Sequence, residues 1–524
     1  MGKSLCTIAI LFSTCFVLEA ANSKLIRRTY IDLAGRTPSY QELNNIKTQS
    51  QAVNEILDSN WYVNNMYNLW ADWLRLSDRR DGQSMNQYKQ WLLSNIQSNR
   101  PYDEMVYDLI SASGNVATNG ASGFYVRDKN NPLDHAAFMA ETFLGEEINC
   151  AQCHNHPFKE LTQLQFYETA AYTYGVRVLS NQRNKQQAVN LIKGRDDYGI
   201  LNRLIQDMFR YVDFTANVTN RKLQLPHDYQ YKNAKPKQEI QPGHIIGYPI
   251  SDKVEKNREL YAQWMVSKRN KLFVENVVLR LNEKLTGSKE MSNERKIYWM
   301  NQMVRVDFDL KKYLAMFMVS PDYLNRSEKI RRMTSEQIWD SFVNMYSTNY
   351  EFSTYGAKID WTEYIETVSA FTPKQITNIV IAVSNDHEKP NVKHVYQEMG
   401  VEGPESPRRP RGYFIISSEQ RSPADDGHFL RQFGQSNRNV LDNDTQSASV
   451  QQALTLMNGN ILNTLFDKKS NLMTEIEKYN DKTFLFMTFF GTKPTPQESR
   501  LFTNYNAKDI AWMLLNSKRF IFYE

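Results

Sequence analysis

Cys150-Ala151-Gln152-Cys153-His154 places two thiols three positions apart, with an imidazole directly after the second. Thiols at that spacing can each add across a vinyl group on one edge of a porphyrin, and the following imidazole then reaches the iron. The pattern is therefore that of covalent c-type haem, with Cys150 and Cys153 holding haem c and His154 as proximal iron ligand. The same atoms allow two other chemistries. Thiolate and imidazole suit tetrahedral zinc, for which Cys150, Cys153, His154 and His156 supply some or all ligands. A disulfide or reversible dithiol across two intervening residues needs no cofactor. His156 lies two residues beyond the proximal ligand and cannot swing to the opposite face of the same haem, so it is a metal ligand only in the zinc alternative. Its competing role is that of a turn residue before Pro157. The distal-ligand candidates are His135, Met139 and Met457, each set against ordinary core packing. His135 beside Asp134 reads equally well as a helix-start pair.

The other cysteines sharpen the reading. The chain has four, and Cys6 and Cys15 fall in a segment that reads as a secretory signal. Lys3 supplies the positive start, Leu5 to Leu18 an apolar stretch, and Glu19-Ala20-Ala21-Asn22-Ser23 a small-residue exit. Residues 1–21 are expected to be removed, leaving Cys150 and Cys153 as the only cysteines of an exported protein of the periplasm or cell envelope. Lipoprotein anchoring at Cys15 is the weaker alternative, because Phe12-Ser13-Thr14 is a poor approach to such a cut.

Composition narrows the function classes. No apolar run after the signal approaches the ~18 residues of a bilayer span. The net charge of +5, from 63 basic and 58 acidic residues spread along the chain, is too mild for a nucleic-acid partner. Neither a Gly-rich phosphate loop, a G-x-S-x-G elbow nor H-E-x-x-H occurs, so no catalytic residue is assigned. Asp425, Asp426, Asp442 and Asp444 with Arg431 and Arg438 read as an ionic cluster that ties down a loop or binds a sugar or metal. The 12% aromatic content fits helix packing or a carbohydrate-binding surface. The expected function is an exported haem protein with a redox or electron-transfer role and a redox partner. The alternative is a cofactor-free or zinc-stabilised envelope protein that binds polysaccharide or protein partners.

The elements that position the motif read as mainly α. Apolar residues recur at three and four through Tyr62 to Leu74, Tyr88 to Ile96, Tyr102 to Ile110 and Ala136 to Leu144. Ser39-Tyr40-Gln41-Glu42 is a capping box. The motif follows the helix that Gly145 terminates, and a second, aromatic helix from about Leu161 to Tyr172 comes after it. The thiols are thus expected in a tight loop with apolar walls. From Val176 to Pro249 helical periodicity fades, and Phe214 to Val218 and Lys222 to Leu225 alternate as short strands. Helices return from Asp252, a long loop is expected over Glu388 to Asp426, and helices close the chain from Ser449. The expectation is two helical domains, 24–175 and 251–524, joined by a polar, partly β connector over 176–250.

Four segments carry a family resemblance: Leu25–Pro38 (LIRRTYIDLAGRTP), Leu69–Leu74 (LWADWL), Asn99–Asp103 (NRPYD) and Cys150–Phe158 (CAQCHNHPF). Together they resemble the planctomycete cytochrome-like domain of unknown function. Arg331–Asp340 (RRMTSEQIWD), Phe429–Gln435 (FLRQFGQ) and Val450–Gly459 (VQQALTLMNG) resemble its companion, the second planctomycete domain of unknown function. The resemblance implies an exported envelope protein of the kind found in Planctomycetes and Verrucomicrobia, with no reaction attached. Many members have Asp at the position of Asn155 and a cysteine-bearing loop near Asn439 to Asp444. This chain has no cysteine there, which leaves Cys150, Cys153 and His154 as the residues carried over.

Overall fold

A computed structural model describes residues 22–524 apart from 81–82, 130, 210–211, 213, 247–256, 326–329, 348–361, 402–413, 440–448, 480 and 524. The expected signal segment, with Cys6 and Cys15, lies outside the described residues, as do Asp442 and Asp444. The described chain is mainly α, with small antiparallel sheets only.

The helices begin where short-range chemistry says they should. Ser39 Oγ accepts the Glu42 N–H while the Glu42 carboxylate accepts the Ser39 N–H, and Thr162–Gln165, Thr334–Gln337 and Thr495–Glu498 repeat the arrangement. The expected amphipathic runs become the helices Asn60–Trp73, Asn86–Gln97 and Tyr102–Ser111. Their apolar faces, with Trp70, Leu92 and Ile110 almost wholly buried, belong to one hydrophobic cluster that runs from Ile26 to Tyr523.

That cluster is reinforced by polar contacts between the two ends of the chain. Arg27 donates to the Phe520 carbonyl at 2.9 Å, and Arg28 to that of Tyr323 at 3.0 Å. The buried Asp32 carboxylate accepts from Tyr523 Oη at 2.6 Å, Tyr323 Oη at 3.0 Å and Arg331 at 3.1 Å. Gln337 Nε2 donates to the Ile31 carbonyl at 2.9 Å. Arg331–Arg332 also pairs antiparallel with Phe522–Tyr523. The residues 25–38 and 331–340 that carry the family resemblance therefore act here as one docking seam, in which the buried Asp32 is paired with Arg331.

The connector region holds the short strands expected of it and two helices that were not. Phe214–Val218 is the centre of a three-stranded antiparallel sheet between Gly114–Asn115 and Val176–Ser180, and Leu223–Gln224 pairs with Glu239–Ile240. Helices Gln182–Leu191 and Tyr198–Met208 also occur there, and their buried Ala188, Leu201, Leu204, Ile205 and Met208 form a second cluster with Ile376, Val380 and Val395. The polar composition masked a 201/204/205/208 spacing that is helical. The expected loop over 388–426 likewise contains the helix Val392–Glu398.

Candidate functional site

Helix Pro132–Met139 continues through a wider turn, Ala140–Leu144, and ends at Gly145, whose φ of 69° is left-handed. A Cβ at that position would sit 3.0 Å from Asn276 Oδ1, so both the turn and the neighbouring helix call for glycine. The motif follows as a short 3-10 turn, Asn149–Gln152. Ile148 and Ala151 are buried and anchor this turn to the core, while Cys150 and Cys153 are exposed free thiols. The expected apolar walls are thus realised on one side only: the alternation of buried and exposed positions turns both sulfurs and His154 to solvent.

A chain of hydrogen bonds fixes the loop. Gln152 Nε2 donates to Asp134 Oδ1 at 2.9 Å, and the buried Gln163 donates from Nε2 to the Gln152 carbonyl at 2.9 Å. Asn155 Oδ1 accepts the Gln163 backbone N–H at 2.9 Å, and the Asn155 N–H donates to Tyr231 Oη at 2.8 Å. An aspartate at position 155 would accept the same Gln163 N–H. Lys159 pairs with Glu146 across the loop at 2.5 Å. Tyr167, on the following helix, lies close enough to Cys153 and Asp228 for both to act on it; burial first, and then these neighbours, raise its hydroxyl above the ordinary tyrosine range.

The two histidines of the loop are set differently. His154 Nδ1 lies 2.7 Å from the Asn155 carbonyl, and because a carbonyl only accepts, Nδ1 carries the hydrogen and the neutral ring keeps its lone pair on Nε2. His156 Nδ1 accepts the backbone N–H groups of Lys159 at 3.1 Å and Phe158 at 3.2 Å, which places its ring hydrogen on Nε2. His156 is therefore the turn-stabilising residue before Pro157. Among the described residues no group of three or more His, Cys, Asp and Glu side chains converges as a metal site. The four zinc candidates Cys150, Cys153, His154 and His156 are neighbours in sequence but do not come together as a ligand set.

Two of the distal candidates, His135 and Met139, are engaged elsewhere. Met139 is wholly buried in the apolar core. His135 is buried, faces Asp128 with Nδ1 at 3.3 Å, and packs against the rings of Phe124 and Tyr125. Met457 is exposed on the helix Val450–Asn458. Of the expected acidic cluster, Asp442 and Asp444 lie outside the described residues, and the described members make separate contacts. Arg438 pairs with Asp72 at 2.9 Å, Arg431 donates to the Gln435 carbonyl at 2.9 Å, and Asp425 pairs with Arg421. Asp72, Asn155, Gln163 and Tyr231 are the residues that sequence reasoning missed. Of these, Asp72 lies within the family motif Leu69–Leu74 and Asn155 is the position where the family resemblance shows aspartate; Gln163 and Tyr231 carried no signal.

Residues 15–177 match the PSCyt2 family model. That family is described as a protein of unknown function (DUF1549), and the match makes this part of the chain similar to a planctomycete cytochrome-like domain. The PSCyt2 segment contains the thiol loop together with the motifs at Leu25–Pro38, Leu69–Leu74 and Asn99–Asp103. It ends before the second set of motifs. No curated protein and no solved structure matches the chain. Among the described residues no helix is long and apolar enough to cross a membrane.

Proposed function

We propose that the chain is an exported envelope protein in which Cys150 and Cys153 hold one c-type haem through thioether bonds, with His154 as proximal iron ligand and a redox or electron-transfer role. The observation that carries this reading is the state of His154. Its Nδ1 hydrogen is committed to the Asn155 carbonyl, so Nε2 presents a lone pair beside two exposed thiols at the attachment spacing. The residues present fit the group on its proximal side.

Cys150 and Cys153 would each add an S–H across one vinyl C=C of the porphyrin, the sulfur taking the carbon next to the ring and the hydrogen the terminal carbon, so that attachment would consume no oxidant. The bound cofactor supplies one-electron exchange. Everything else is the work of the chain. Ile148 and Ala151 hold the turn against the core, and Asn155 and Gln163 fix the direction of His154. Phe158, 93% exposed only five residues after Cys153, supplies an apolar surface for a bound porphyrin edge to cover. The companion-domain resemblance over 251–524 belongs to the same proposal, as a larger binding or catalytic body that the haem serves.

A second reading, a cofactor-free dithiol, is favoured by the solvent exposure of both sulfurs. Export together with cytochrome c maturation machinery, followed by haem staining of denatured protein, separates the two. Staining that disappears in Cys150→Ala and Cys153→Ala supports the haem. Unstained protein with two alkylatable thiols selects the dithiol.

A further inference from the structure

The chain beyond the PSCyt2 segment folds back onto the thiol loop. Leu223–Gln224 and Glu239–Ile240 pair antiparallel, and the Leu225 N–H donates to the Gln238 carbonyl at 3.0 Å, so the intervening residues form one loop. Both strands pack on the helix Gln163–Tyr174. The loop reaches the motif through Tyr231, whose Oη accepts the Asn155 N–H directly after His154. Tyr231 is itself held edge-on to the buried ring of Tyr229 at 5.5 Å, and Tyr229 Oη donates to Asn233 at 2.6 Å. Asp228 and Cys153 act on the same hydroxyl, that of Tyr167, so this end of the loop and the second thiol flank one side chain.

His227 stands there, between Pro226 and Asp228. The Pro226 carbonyl accepts the Tyr229 N–H at 3.3 Å, which closes a turn with the half-buried His227 at its second position. Among the described residues the His227 ring makes no hydrogen bond, ion pair or ring contact. Other histidines are placed elsewhere. His135 faces Asp128 in the core, His387 and His394 stack on each other with centroids 3.8 Å apart, and His428 caps the helix Phe429–Gln432 against Trp339. His244 ties its carbonyl to Thr169, two positions from Tyr167 and therefore on the opposite face of that helix.

We propose that His227 is the second axial ligand of the haem iron, on the face opposite His154. The inference rests on the haem reading and goes beyond it. Thioethers at Cys150 and Cys153 with His154 on the iron commit one face of the porphyrin to the motif, and His156 cannot cross to the other, so a second strong donor has to come from another segment. An imidazole on a turn anchored beside the motif is such a donor. The ligand then belongs to the connector, outside residues 15–177, and the haem ties the family-matched segment to the rest of the chain. Iron held by two imidazoles is six-coordinate and low-spin, which suits electron transfer rather than binding of oxygen or substrate at the metal.

The test compares the full mature protein, exported and matured with covalent haem, with His227→Ala, His227→Met and the control His244→Ala. Absorption and electron paramagnetic resonance report the spin state of the ferric iron, and haem stain and circular dichroism confirm attachment and folding. The wild type and His244→Ala are expected to be low-spin. His227→Ala should still stain for haem, lose the low-spin signal and recover it when imidazole is added. His227→Met should have a higher reduction potential, as methionine sulfur replaces imidazole. A wild type that holds haem but is high-spin overturns the ligand assignment without recourse to any variant, and so does a low-spin signal unchanged in His227→Ala. A wild type without covalent haem removes the haem reading and this ligand together, which separates that failure from the other two.

Discussion

The Asp340 carboxylate is wholly buried and receives three hydrogen bonds from two segments that are distant in sequence. Ser417 donates from its backbone N–H at 2.8 Å and from Oγ at 2.5 Å, and Asn64 donates from Nδ2 at 2.7 Å. Burial raises this acid, the bonds from Ser417 and Asn64 lower it, and nearby Glu336 raises it again; the net result is a rise from 3.8 to about 7. The folded state therefore holds a proton that the unfolded chain releases. The stabilisation is fully present below about pH 4 and is lost as pH rises through 7. At about 1.4 kcal/mol per unit, three units amount to roughly 4 kcal/mol. Asp340→Asn cannot titrate, and its amide N–H would oppose the Asn64 donor, costing about 1–3 kcal/mol at every pH. Urea unfolding of both proteins from pH 4.5 to 8.5 should give curves that cross. The wild type is expected to be more stable in acid, and the variant at least its equal above pH 7.5. A stability difference that stays constant over that range would refute the reasoning.

Asp32→Ala strips a buried carboxylate from Tyr323, Tyr523 and Arg331, and should cost about 3–5 kcal/mol in denaturant unfolding, with the loss carried by the seam between the chain ends. Gly145→Ala forces a side chain into left-handed backbone against Asn276 and should cost roughly 1–2 kcal/mol, seen as a lower unfolding temperature. Gln163→Ala leaves the Gln152 carbonyl without its donor; amide exchange across 150–156 should accelerate about tenfold, while exchange in the helix Asn60–Trp73 should not change.

What was legible in the sequence was the chemistry of neighbours. The Ser39–Glu42 box, the Gly145 stop and the alternation over Phe214–Val218 are each complete within a few residues, so the chain itself announces them. The attachment motif is legible for the same reason. Burial and long-range pairing are not local properties, and there the reading fell short. Spacing offered His135 and Met139 as ligands, but nothing near them in sequence shows that one faces Asp128 within an aromatic box and the other is core. Arg438 was grouped with the acids closest to it in sequence, whereas its partner Asp72 lies on the helix Asn60–Trp73. The tautomer of His154 depends on the Asn155 carbonyl, and that loop is held in turn by Tyr231, far along the chain.

Whether the two thiols carry a haem is decided on the thiol loop itself. The most direct measurement is the mass of the peptide spanning residues 150–154, taken from protein exported and matured in a cytochrome-c-competent host. That peptide is expected to be heavier by one haem, with both thiols resistant to alkylation and a reduced pyridine spectrum characteristic of two thioether links. A peptide of unmodified mass with two reactive thiols, or one lighter by two hydrogens as a disulfide, from a host that matures a control cytochrome normally, would contradict it.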